Sequence, residues 1–102
     1  MNQILTGKQK SFLRGLGHHL PARAMIGREG LTDQLRSSVE EILTAHELVK
    51  VKIQNNCELD RREAAEVLAR QTGAAVAQIL GKTFLLYREN LDKAADKRIR
   101  LP

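Results

Sequence analysis

Aromatic residues are almost missing from this chain: its 102 residues include two phenylalanines, one tyrosine and no tryptophan. Phe12, Phe84 and Tyr87 are too few for the base-stacking platform of an RNA-recognition-motif sheet or a cold-shock barrel. A nucleic-acid ligand would therefore be held through phosphates, sugars and shape. The two phenylalanines read as core, and Tyr87 as core or a sheet-edge hydrogen bond. A single cysteine, Cys57, excludes an intramolecular disulfide and suits a reducing compartment. No apolar stretch approaches the ~20 residues that span a bilayer, and the chain reaches Lys8 and Lys10 without an apolar run of signal-peptide length. These absences predict a cytoplasmic protein with no membrane segment.

Catalytic and metal-binding patterns are missing as well. His18, His19, His46 and Cys57 are the soft ligands available, but His18 and His19 project about 100° apart on a helix and no Cys-x-x-Cys pair exists. Nothing near Cys57 would activate it as a nucleophile. Glu40 and Glu41 are adjacent and so splayed, while Glu63 reads as a helix-capping partner rather than a general acid. The Walker spacing of glycines followed by Lys and Ser or Thr is absent. The expectation is a protein that is not an enzyme, with no metal, no cofactor and no small-molecule substrate.

What is present is basic charge, unevenly spread. The formal net charge is +5, and residues 1–36 carry +4, residues 37–60 carry −3, and residues 61–87 and 88–102 carry +2 each. An acidic middle between basic ends suggests a binding face and a back, with a polyanionic partner favoured. The length suits one core, the monomer is the expected state, and neither an internal repeat nor a low-complexity linker interrupts it.

Periodicity predicts the elements. Thr6 with Gln9 forms a capping box for a first helix whose Phe12, Leu13, Leu16 and Leu20 share an inward arc, with Lys10, Arg14 and His18 opposite. Gly15 and Gly17 weaken its second half, so it ends near His18 or before Pro21. Ala22 to Ile26 is a short strand. Thr32 then caps a second helix that turns Leu35, Val39, Ile42, Leu43 and His46 inward and leaves Glu40, Glu41 and Glu47 on an exposed acidic face.

Leu48 to Ile53 alternates with period two, so Val49, Val51 and Ile53 face one side and Lys50 and Lys52 the other. Asp60 with Glu63 opens a third helix carrying Ala64, Val67 and Leu68 inward, and Gly73 stops it. Ala75 to Leu80 and Thr83 to Arg88 form a hairpin across Gly81-Lys82, whose leading glycine suits a type II′ turn. This α-β-α-β-α-β-β order predicts an α/β sandwich with a mixed four-stranded sheet. Residues 1–88 read as one domain. Residues 89–102 read as a basic tail with Lys93, Lys97, Arg98 and Arg100, either frayed helix or an arm that orders on RNA.

Between the first strand and the second helix stands Gly27-Arg28-Glu29-Gly30. Two glycines bracketing a tight turn remove side chains that would hold a ligand away, and the helix that follows aims unpaired N–H groups outward, so the turn can cradle a phosphate. Arg28 suits that role. Glu29 brings a negative charge to the same tip, so it must point away, pair with a base donor or reduce affinity, and the first is expected.

Four stretches together resemble the CRM domain family, named for chloroplast RNA splicing and ribosome maturation, in its stand-alone bacterial YhbY-type form. They are Ile26-Gly27-Arg28-Glu29-Gly30-Leu31-Thr32, His46-Glu47-Leu48-Val49-Lys50-Val51-Lys52, Thr72-Gly73-Ala74, and Gly81-Lys82-Thr83-Phe84-Leu85-Leu86-Tyr87-Arg88. The resemblance implies a fold similar to the C-terminal domain of translation initiation factor three, a Gly-x-x-Gly loop like that of KH domains, and RNA binding without catalysis. It implies ribosomal RNA in precursors of the large subunit as the partner. The expected contacts are Gly27, Arg28, Glu29 and Gly30 with a basic surface from Lys8, Lys10, Arg14, Lys50, Lys52 and Lys82. The rival expectation is a protein-interaction module that docks on a ribosomal protein or assembly factor through Glu40, Glu41 and Glu47.

Overall fold

The computed structural model describes residues 4–55 and 57–102. Helix α1 spans Gly7–His18, and Thr6 opens it through the reciprocal capping box: Gln9 N–H donates to Thr6 Oγ1 and Thr6 N–H to Gln9 Oε1, at 3.1 and 3.0 Å. Strand β1 is Ala24–Ile26, two residues shorter at its start than the sequence predicts. Helix α2, Asp33–His46, begins where Thr32 Oγ1 accepts the Leu35 N–H. Strand β2 is Leu48–Ile53. Helix α3, Arg61–Thr72, is capped by Asp60 and ends at Gly73 with φ +69. Strands β3, Ala75–Leu80, and β4, Thr83–Tyr87, close the sheet. Gly81 has φ +58 while Lys82 is not among the positive-φ residues, as a type II′ turn requires.

The mixed four-stranded sheet is ordered β1-β2-β4-β3, with β1 parallel to β2 and the other pairs antiparallel. The crossovers through α2 and α3 both step the same way across it. A right-handed connection therefore puts both helices on one face, and α1 takes the other. Strand β4 is covered on both sides. Phe84 and Leu86 join Ile26, Val39, Leu43, Val51 and Leu68 in the larger core, while Leu85 and Tyr87 join Leu5, Leu13 and Leu48 under α1. Gly17 makes that second layer possible, because a Cβ there would overlap the Leu85 side chain.

Three expectations are corrected. Phe12 and Leu16, placed in the core by periodicity, are 40% and 39% exposed. A helix lying alone on a sheet buries a narrower stripe than its full apolar arc, here Leu13 and Gly17. Glu47 does not belong to an acidic face: it is fully buried, in the left-handed conformation that ends α2 (φ +65), and its carboxylate accepts the Asn90 and Ile99 N–H groups at 2.7 and 2.6 Å. Residues 89–102 accordingly run back across the domain, where Ile99 and Leu101 pack on the second core and Pro102 O accepts from Gln9 Nε2.

Burial and the neighbouring carboxylates of Glu47 and Glu89 push the Tyr87 hydroxyl up to about 12 from its ordinary value of 10.0. A raised phenol pKa means that the neutral form is favoured by folding. Its contribution is complete below pH 10 and is lost as pH rises through 12, at about 1.4 kcal/mol per unit. With one tyrosine and no tryptophan, the tyrosinate absorption band reports this group alone. In the folded protein its midpoint is expected near pH 12 or coincident with unfolding, and an ordinary phenol midpoint in the folded state would contradict the burial.

Candidate functional site

The Gly27–Gly30 turn sits at the end of the sheet where β1 and β2 finish and the β3–β4 hairpin begins. It is closed by the Gly30 N–H donating to Gly27 O at 3.0 Å, and the chain is steered into α2 by Thr32 N–H donating to Gly30 O at 3.1 Å. The two glycines serve different ends. Gly30 takes φ +73, a left-handed conformation that a Cβ disfavours. Gly27 has no such torsion, but a Cβ there would come within 3.2 Å of Gln54 Oε1.

The segment after β2 packs beside this turn. Gln54 N–H donates to Ile26 O at 2.9 Å, extending the parallel pairing, and Gln54 Nε2 lies 3.3 Å from Met25 Sδ. On the other side Ile53 N–H donates to Lys82 O at 2.7 Å, the Lys82 ammonium donates to Asn55 Oδ1, and Arg61 Nη1 donates to Gly81 O. Turn, post-β2 segment and hairpin thus form one rim. Two adjoining grooves follow it: one of about 580 Å³ between the turn and Cys57–Leu59, the other of about 380 Å³ between that segment and Gly81-Lys82.

Of the residues expected from sequence, the structure brings some together and separates others. Arg28 and Glu29 are exposed and line the same groove, so the tip presents one charge of each sign. Lys82 is exposed at the second groove. Lys52 is exposed and pairs with Met25 on one side and Thr83 on the other, which sets it between turn and hairpin. Lys50 is two residues down the same strand on the same face, partly buried near Arg23 and His46. Arg14 is on the flank of α1 that carries Gly17, opposite the flank whose Gln9 and Leu20 meet the tail. It is exposed there. Lys10 stands instead at the β3 edge with Glu66 and Arg70, and Lys8 is exposed on the first turn of α1, away from the Gly-x-x-Gly rim.

Sequence reasoning missed Arg61, whose guanidinium joins the rim, and Gln54 with Asn55. The signal was available for Arg61, the first residue after the Asp60 cap, since a helix start presents its side chains toward the preceding loop. It also missed that Arg88 is structural. Its guanidinium donates to Thr72 O at 2.7 Å, to Thr44 Oγ1 at 2.9 Å and to Glu40 Oε2 at 3.3 Å, tying α2 and α3 to the end of β4. Among the described residues no three His, Cys, Asp or Glu side chains gather as metal ligands, and no helix is long and apolar enough to cross a membrane.

Comparison with known proteins gives one consistent result. The CRS1 / YhbY (CRM) domain matches residues 5–88. The chain is 39% identical over 99 residues to the probable RNA-binding protein YqeI of Bacillus subtilis, covering 97% of this chain and all of that one. It is 37% identical over 98 residues to an RNA-binding protein of Haemophilus influenzae, covering 96% and 95% respectively. The solution structure of a hypothetical protein from Staphylococcus aureus superposes with a TM-score of 0.80 at 33% identity, covering 97% of this chain and 100% of that chain.

Proposed function

The chain belongs to the CRS1 / YhbY (CRM) domain family, and from that premise we propose that it binds structured RNA without catalysing a reaction. The observation that carries this reading is the single rim where the Gly27–Gly30 turn, Lys82 and Arg61 stand around two open grooves, with Lys52 at the same end of the sheet on its opposite face. Glycine there lets backbone approach backbone, and the cations supply the charge that a phosphate chain needs. Ribosomal RNA in precursors of the large subunit is the target, and the protein acts as a cytoplasmic monomer. Residues 1–88 form the RNA-binding domain, with 89–102 as a strap over its second core.

The contacts divide by position. Gly27, Arg28, Gly30, Lys52 and Lys82, with Arg61 added, meet the backbone. Lys8, Lys10, Arg14 and Lys50 lie off the rim and contribute long-range attraction. The rival docking surface loses its support: Glu47 is buried against backbone N–H groups and Glu40 engages Arg88, which leaves Glu41 alone.

Binding to fragments of precursor large-subunit RNA, titrated across salt concentrations, tests the reading. With about four to six phosphates neutralised, log affinity should fall against log salt with a slope of about −3 to −5. Arg28→Ala should make that slope shallower by roughly one unit. An affinity indifferent to salt would remove the electrostatic mechanism.

A further inference from the structure

The groove beside the Gly-x-x-Gly turn has the wrong chemistry for a phosphate. Its floor is Leu31, Cys57 and Leu59, partly buried and packed on the larger core. Its rim carries Glu29 and Glu58, both exposed, against one cation among the described residues, Arg28. An apolar floor offers a phosphate no donors, and two carboxylates repel it. Ionised carboxylates only accept hydrogen bonds, so what complements this groove is a flat apolar group with donors at its edge.

Resting on the RNA-binding reading, we propose that this groove seats one unpaired nucleobase, that guanine is preferred, and that Glu29 and Glu58 are the residues that select it. Guanine presents an imino and an amino donor side by side, which two carboxylate oxygens can accept together. Adenine and cytosine offer one amino group and uracil one imino. The donor edge is free only when the base is unpaired, so the element recognised is a loop or bulge nucleotide rather than a duplex. Arg28, on the same rim, is left to the phosphate that leads into the seated base.

The adjoining groove completes the division. Cys57 and Leu59 form a wall of both, and the second leads to Arg61 and Lys82. The backbone leaving the seated base passes over those cations, so base and phosphates are sorted to the acidic and basic ends of one rim. This gives Glu29 a role at the tip of a phosphate-binding turn, where a negative charge would otherwise only weaken binding.

Hairpin RNAs identical but for one nucleotide in a uridine loop, carrying guanosine, inosine, adenosine or uridine there, distinguish the outcomes. The wild-type protein should bind the guanosine hairpin about 10-fold or more tighter than the adenosine and uridine ones, with inosine, which lacks the amino group, between. Because Glu29 and Glu58 are exposed, the double variant Glu29→Gln with Glu58→Gln should fold normally, and it should level the series while keeping salt-dependent binding. Equal wild-type affinity across the series would overturn the base site and leave the RNA-binding reading intact. A guanosine preference that survives the double variant would overturn its assignment to these carboxylates. Failure to bind any hairpin in a salt-dependent manner would overturn both readings.

Discussion

Replacing Glu47 by alanine is expected to destabilise the fold by about 3–5 kcal/mol, a large share of the roughly 5–15 kcal/mol that holds a small domain together. The carboxylate is fully buried and accepts the Asn90 and Ile99 N–H groups at 2.7 and 2.6 Å. Hydrogen bonds to an ionised acceptor contribute about 1.5–3 kcal/mol each, and truncation leaves both donors without a partner. Ile99 and Leu101 then lose what holds them on the second core, so the strap should become sensitive to protease before the domain unfolds. Glu47→Gly gives an internal control. It loses the same bonds but relieves a left-handed backbone position worth about 1–2 kcal/mol to a residue with a Cβ, and should be milder by about that amount. Urea unfolding of the two variants measures both terms. A midpoint for Glu47→Ala equal to that of wild type would mean that the buried carboxylate holds nothing.

Gly27→Asp carries the largest expected effect on binding. Gly27 has no positive φ, and among the described residues the one atom within 4 Å of its new Cβ is the terminal oxygen of the exposed Gln54 side chain, at 3.2 Å. The fold should therefore keep a thermal midpoint close to wild type. A carboxylate at the turn replaces attraction for a phosphate by repulsion, and a loss of about 10- to 100-fold in RNA affinity is expected, equivalent to one charge-assisted contact. Gly30→Asp tests the same point less cleanly, because Gly30 has φ +73 and its Cβ would meet Leu59 Cδ1 at 3.4 Å. It combines loss of binding with about 1 kcal/mol of backbone strain. A well-folded Gly27→Asp protein that binds RNA as wild type does would take the turn out of the interface.

Arg88 shows where reading by resemblance stops. The Leu85-Leu86-Tyr87-Arg88 stretch marks the family, yet the arginine that ends it reaches α2 and α3 rather than a ligand. Glu47, in another of the matching stretches, is likewise a structural anchor. A stretch that carries a resemblance can therefore hold residues that anchor α2, α3 and the tail.

The sequence by itself determined what forms within a few residues. The Thr6–Gln9 capping box, the Thr32 and Asp60 caps, the stop at Gly73 and the Gly81-Lys82 turn all close hydrogen bonds or torsions between near neighbours. Those residues had no other local partner to choose, and the alternation of β2 fixed which of its side chains face each side of the sheet. Tertiary structure alone decided which face each helix covers, because that follows from strand order and crossover handedness. It also decided that Phe12 is left exposed and that Glu47 is buried. The partners of Glu47 are 43 and 52 residues away, at a distance in sequence where periodicity carries no information. The proposed binding rim divides in the same way: its turn was legible in four residues, while its floor and the cations around it come together only because β1, β2 and the hairpin turn meet at the same end of the sheet.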